Sequence, residues 1–258
     1  MKNHRYQKFM HSRTTISLGL IIALSFMALT AAALKASRTG QLLPVTVKQL
    51  PPMNGVIPVE IRSASAVLTS LNELGEWSYT VRNNTNKAIT ALSINESITT
   101  EKAGKKSTDR IFHTMDSFVH PDVRDIHHLK NIPPGGERIV NTSGPIGYHG
   151  ELIQGTELSI DYVEFEDKTV LGPNEGGARI LGFIREGAAK YKEWLVQNYA
   201  QSGRSIDAIV PLLRARSLPT ELGFKSTYQN QGAKIYRMHM LDVYNTRGAA
   251  ALAAYLNQ

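Results

Sequence analysis

The sequence contains no cysteine. That excludes a disulfide-stapled scaffold, a thiolate zinc centre and a cysteine nucleophile. It also excludes lipid attachment through an N-terminal cysteine. The signatures of common catalytic centres are missing as well: there is no G-x-S-x-G elbow, no S-x-x-K set with its partner motifs, and no H-E-x-x-H pair. Ala103-Gly104-Lys105-Lys106-Ser107-Thr108 superficially resembles a phosphate loop. Thr99 stands where the first glycine belongs, and Lys106 where Ser or Thr should follow the lysine. Lys102, Lys105, Lys106 and Arg110 therefore suggest a solvated basic loop.

Acidic residues are absent from the first 33 positions, which hold Lys2, Arg5, Lys8 and Arg13. An apolar run from Ile16 to Leu34 follows and ends on Ala31-Ala32-Ala33, the small-residue pattern that a signal peptidase requires. Residues 1–33 are expected to be a signal peptide cleaved after Ala33, with an uncleaved anchor helix as the alternative. Either way the basic flank stays inside and the remainder is exported: periplasmic, secreted, or anchored to the inner membrane facing outward. The formal charge of +7 arises from 29 Lys+Arg against 22 Asp+Glu, and without this segment 25 face 22. The basicity is mostly targeting, so no nucleic-acid partner is expected.

The remaining chain, 42% hydrophobic residues overall, is large enough for a sizeable core. Residues 34–55, with Pro44, Pro51, Pro52 and Gly55, suggest an extended linker. From residue 56 to 172 the apolar pattern has period two, as in Ile57, Val59, Ile61 and in Trp77, Tyr79, Val81. Further strands are expected at 89–94, 111–119, 138–140 and 158–165. Asn83-Asn84-Thr85-Asn86-Lys87 reads as a hairpin connection and Asn131 to Glu137 as a turn. About seven short strands suit a two-sheet antiparallel sandwich.

The run Trp77-Ser78-Tyr79-Thr80-Val81-Arg82-Asn83-Asn84-Thr85-Asn86-Lys87-Ala88-Ile89, with Ile132-Pro133-Pro134-Gly135-Gly136-Glu137, resembles the immunoglobulin-like or fibronectin-III-like sandwiches of exported bacterial proteins. The strand from Ile160 to Phe165, followed by Glu166 to Thr169, looks like the closing hairpin of uncharacterised envelope proteins. The resemblance spans less than half of the chain. It implies a fold and a location, and no catalytic residues.

Residues 173–258 form a helical region. Ile180, Ile184, Ala188, Tyr191, Leu195 and Asn198 recur at helical spacing, Asn174 is placed to cap the start and Gly203 to end the helix. A short helix at 205–216 containing Pro211, and helices at 221–244 and 247–257, complete the chain. The stripe Phe183, Tyr191, Trp194 and Tyr199 is expected in the core.

His113, Asp116, His120, Asp122, Asp125, His127 and His128 gather imidazoles and carboxylates within sixteen positions. A divalent metal held by His120, His127, His128, Asp122 and Asp125 is the candidate site this suggests. The competing reading is a polar loop without a cofactor. His120-Pro121-Asp122 also matches a tripeptide of J-domain co-chaperones, without the basic helix that belongs beside it. Glu164 and Glu166 share one strand face about 7 Å apart, a glycosidase-like separation, but they read as acids on an outward face.

The expected architecture is thus an all-β antiparallel sandwich, immunoglobulin-like, followed by an α-helical C-terminal region. The expected function is a non-enzymatic envelope protein acting as an interaction or scaffold module toward another envelope protein or polymer. It would meet the membrane through its N-terminal helix if uncleaved. The alternative is a metal-binding protein or metal-dependent enzyme using the His113–His128 cluster.

Overall fold

Strands with alternating apolar residues pair into two sheets in the computed structural model. It describes residues 41–68, 73–117, 119, 131–147 and 151–257, of which 73–75 and 142–147 are described by backbone alone. One sheet runs in the order β1 (Gln41–Leu43), β3 (Val59–Leu68), β4 (Glu73–Asn83), β7 (Glu137–Gly147). The second runs β2 (Val45–Lys48), β8 (Leu152–Phe165), β5 (Ile89–Lys102), β6 (Lys105–Asp116), with the short β9 (Val170–Leu171) also against β8. These pairings are antiparallel except that of β2 with β8, which is parallel. The period-two residues meet between the sheets: Val59, Ile61, Trp77, Tyr79 and Val81 from the first, and Leu92, Ile94, Ile98, Leu158, Ile160 and Val163 from the second. Each such side chain contributes about 1.5–3 kcal/mol on full burial.

Three expectations need correction. Part of the supposed linker is sheet, because Leu43, Val45 and Val47 pack against the core cluster. Pro44 separates β1 from β2; lacking an N–H it ends one ladder, and the chain crosses to the other sheet there. The Asn83–Lys87 segment is not a hairpin, since β4 and β5 lie in different sheets. The buried Asn83 stabilises this crossover: its Nδ2 donates to the carbonyls of Lys87 (2.8 Å) and Ile132 (2.9 Å), and its Oδ1 accepts from Thr85 N (3.0 Å). The supposed basic loop is the far half of a long β5–β6 hairpin that turns at Ala103-Gly104, both with positive φ (49° and 78°). Such a two-residue turn suits strand twist, and Gly104 adopts it without steric cost.

Beyond β9 the chain is helical: α1 (Gly177–Gln201), α2 (Ile206–Arg214, containing Pro211), a 3-10 turn at Thr220–Leu222, and α3 (Thr227–Leu256). The expected helix from 221 starts instead at Thr227, where the Ser226 hydroxyl accepts from Tyr228 N (3.1 Å). α3 is interrupted at Gly248 (φ 82°, ψ −178°), so its two parts match the separate helices expected around 244–247. At the end of α1, Gly203 N bonds Ala200 O and Arg204 N bonds Tyr199 O, a glycine-terminated cap.

α1 lies on the outer face of the second sheet, against β5, β6 and β8. Ile180, Ile184 and Ala188 bury there with Val119, while Tyr191, Leu195 and Tyr199 pack toward α2 and α3. Of the aromatic stripe, Tyr191 and Tyr199 are core, Trp194 packs half-buried against them, and Phe183 is half-buried outside the core clusters. Trp194 reaches further, donating from Nε1 to Glu221 Oε1 (3.1 Å). α1 and α3 cross at Gly187 and Gly232, where a Cβ on either would stand 1.9 Å from a carbonyl oxygen of the other helix. No helix among the described residues is long and apolar enough to cross a membrane, and the apolar run of 16–34 lies outside them.

Candidate binding cleft

The outer face of the second sheet is covered by α1 only in part, and an irregularity in β8 sets the boundary. Ser93 pairs with Tyr162 but Ile94 pairs with Ile160, which leaves Asp161 as an extra residue. Such a bulge redirects a side chain. Asp161 is turned under the start of α1, where Oδ1 accepts from Glu175 N and Oδ2 from Gly177 N, each at 2.6 Å. Its carbonyl also accepts from Asn174 N (2.8 Å). Asp161 is buried at a helix N-terminus, where the orphan N–H groups and the helix dipole favour an acceptor of this kind. Asn174 plays a smaller part than expected, its Oδ1 accepting from Ala178 N at 3.2 Å. Gly177 fits this seat because it lacks a side chain: a Cβ would lie 2.5 Å from both Ser93 and Asp161.

Further along α1, Arg185 donates from Nε to Asp116 Oδ2 (2.5 Å) and from Nη1 to Glu164 Oε2 (2.8 Å). Lys168 Nζ adds a contact to Glu164 Oε1 (3.1 Å). Burial opposes ionisation of Glu164, but the bonds from Arg185 and Lys168 outweigh it and hold its carboxyl below the usual range. For Arg185 burial likewise works against the charge, and the two carboxylates outweigh it and raise its pKa. Glu164 is thus not an outward-facing solubilising acid; it is a buried anchor of α1, while Glu166 is exposed.

Where α1 stops, a cleft of about 540 Å³ opens on the same face. Its floor is the polar row Arg110, Asn95, Ser97, Glu157 and Ser159 from β6, β5 and β8. One wall is the chain leaving β2, with Leu50, Pro51 and Met53; the other is the segment leaving β9, with Leu171, Pro173 and Glu175. Two ion pairs mark its margins, Arg110 with Glu175 and Lys48 with Glu157 (2.9 Å). Asn95 is buried, and its Oδ1 has no hydrogen-bond partner among the described residues. An apolar-walled cavity with a few fixed polar groups is the usual form of a ligand site.

The inner face of this sheet carries a second polar group. Glu96 and Tyr79 are buried between the sheets, and His113 Nε2 lies 2.7 Å from Glu96 Oε2. That distance suits an ion pair, yet the alignment does not make a hydrogen bond. Burial, then the nearby Glu96, raises the Tyr79 hydroxyl pKa well above its ordinary value. Trp77 Nε1, the Tyr79 hydroxyl and both Glu96 oxygens have no hydrogen-bond partner among the described residues.

The expected metal ligands His120, Asp122, Asp125, His127 and His128 all lie outside the described residues, as does the His120-Pro121-Asp122 tripeptide. His113 and Asp116 are described, and the sheet separates them. His113 pairs with the core residue Ile94 and faces inward, whereas Asp116 pairs with Ala91 and meets Arg185 on the outer face. Among the described residues, no three His, Asp or Glu side chains are grouped to hold a metal. Sequence reasoning missed Asp161, Arg185 and Asn95. The strand's acids and the amphipathic helix were visible, but nothing in the linear pattern marks a bulge.

Comparison with protein-family models, with curated proteins and with solved structures finds no match.

Proposed function

We propose that this chain is an exported, non-enzymatic envelope protein that acts as an interaction module, and that the outer-face cleft is where it holds its partner. The observation that carries this is the cleft itself. Its floor is hydrogen-bonded sheet, and its walls are tied down by β2, β9 and the Asp161 seat. Fixed walls and floor keep the ordering cost of binding low. The basic, acid-free N-terminus followed by an apolar run supports export.

The finer fold reading is an immunoglobulin-like Greek key. β4 crosses to β5, β5 and β6 form a hairpin, β7 returns beside β4, and β8 closes beside β5. The short β9 and the parallel β2 share the remaining edge of β8, and α1 takes the place of a longer closing strand on the outer face. Sandwiches of this kind serve as binding or spacer modules, so function rests on the cleft and not on the fold.

The test is photo-crosslinking in cells from a reactive residue placed at Ser97, on the C-terminally tagged full chain. The expected result is a discrete adduct that disappears when Ser159→Trp fills the cleft. An adduct pattern unchanged by that substitution would overturn the reading.

A further inference from the structure

We infer that the surface where the segment leaving α2 meets α3 docks onto an anionic lipid bilayer. It lies on the helices, and the inference does not depend on the cleft. Charge is unevenly divided along the chain: residues 173–258 hold 11 Lys+Arg against 6 Asp+Glu, whereas residues 41–172 hold 12 against 16. Four of the cations in the helical region meet in one place. Arg237 of α3 donates from Nη1 to the carbonyls of Ala215 (2.8 Å) and Ser217 (3.2 Å), which pins the chain leaving α2 and brings the exposed Arg214 and Arg216 beside it. Lys234 is exposed three positions before Arg237, a spacing that makes helix side chains neighbours. No ion pair among the described residues involves these four, and Asp242 is the one acid in the α3 sequence. Arg237 has a structural role, because a cation at the last carbonyls of α2 is favourable there. Arg214, Arg216 and Lys234 make no side-chain hydrogen bond among the described residues.

Met238 decides what kind of anion fits. It is 65% exposed, follows Arg237 directly and stands one turn after Lys234. A bilayer satisfies both parts of this surface: its phosphates meet the cations, and its acyl boundary receives the apolar side chain. A soluble polyanion offers nothing to that methionine. The three cations without hydrogen bonds also suit headgroups that move to meet them, whereas a folded partner would have to order each one.

The sequence has no cysteine, so Met238→Cys gives a single attachment point for an environment-sensitive fluorophore. The labelled full chain is reconstituted with vesicles of phosphatidylcholine alone, and of two-to-one phosphatidylcholine and phosphatidylglycerol. The expected result is a blue shift of emission on the phosphatidylglycerol vesicles only, reversed by high salt. The shift should be lost in Arg214→Gln with Arg216→Gln, each cation changing the docked population about fivefold, and kept in Arg214→Lys with Arg216→Lys. Both positions are exposed, so circular dichroism should show the helices unchanged. A shift on phosphatidylcholine alone, no shift on either vesicle, or a shift that survives the glutamine variant would overturn the assignment. Dextran sulfate is added to the phosphatidylcholine sample in parallel: a response to that polymer with none to phosphatidylglycerol would replace the bilayer by a soluble polyanion.

Discussion

Replacement of Asp161 should release the start of α1 and one wall of the cleft together. Its carboxylate accepts two backbone N–H groups at 2.6 Å, and it is 2% exposed. A hydrogen bond to a charged acceptor contributes about 1.5–3 kcal/mol. The favourable position of the charge at a helix N-terminus adds about 0.3–2 kcal/mol. Asp161→Ala also strands the buried Gly177 N–H, whereas Glu175 is exposed and its N–H regains water. The expected loss is about 3–4 kcal/mol, a drop in the urea midpoint of about 1–2 M. Asp161→Asn retains one acceptor and should lose about half of that. Equilibrium urea unfolding at neutral pH gives both values, and amide exchange should show faster opening confined to the first turn of α1. A loss under about 1 kcal/mol for the alanine variant would refute the view that this non-local cap holds α1 on the sheet.

Other substitutions probe separate parts of the molecule. Gly187→Ala would place a methyl 1.9 Å from the Gln229 carbonyl oxygen, so α1 and α3 must separate; calorimetry should show a loss of about 1–3 kcal/mol, and an unchanged midpoint would mean that the helices are not packed this closely. Glu164 has a pKa depressed from 4.5, so its contribution to stability is present above that pH and is lost as the pH falls through the depressed value. Unfolding curves at pH 7 and pH 3 should therefore differ less for Glu164→Gln than for the parent, and identical differences would remove Arg185 and Lys168 as its partners. Replacing both members of the buried Glu96–His113 pair, Glu96→Leu with His113→Leu, should leave stability unchanged or raise it by about 1–4 kcal/mol, because the pair makes no aligned hydrogen bond to offset its desolvation; a clear destabilisation of the double variant would show that the pair stabilises the sheets.

Much of the secondary structure was legible because it follows from local periodicity. Trp77, Tyr79 and Val81 alternate as a half-buried strand must, and all three are core residues. Ile180, Ile184 and Ala188 keep helical spacing and share one buried face. The far half of the β5–β6 hairpin escaped detection because its outer face is bare of helix, so Ser97, Thr99, Lys106 and Thr108 there carry no apolar signal. β1 and β2 escaped because Pro44 sits between two strands too short to show a period.

The cleft was less legible. Asn95 stands among Ser, Thr and Asn residues that look alike in sequence, and only the packing of the sheet places it in the lining of the cleft. Glu164 looked like an outward acid because its cation, Arg185, is 21 positions away on a helix whose docking place no local pattern specifies. The residues by themselves determined the strand and helix periods, the change from one to the other after Gly172, and the exclusion of cysteine chemistry. Tertiary structure decided which sheet each strand joined, which face α1 covered and where the bulge at Asp161 turned its carboxylate. The physical reason is range: periodicity acts between neighbours along the chain, whereas a buried charge or a cleft is defined by groups that meet only after the sheets and helices have packed.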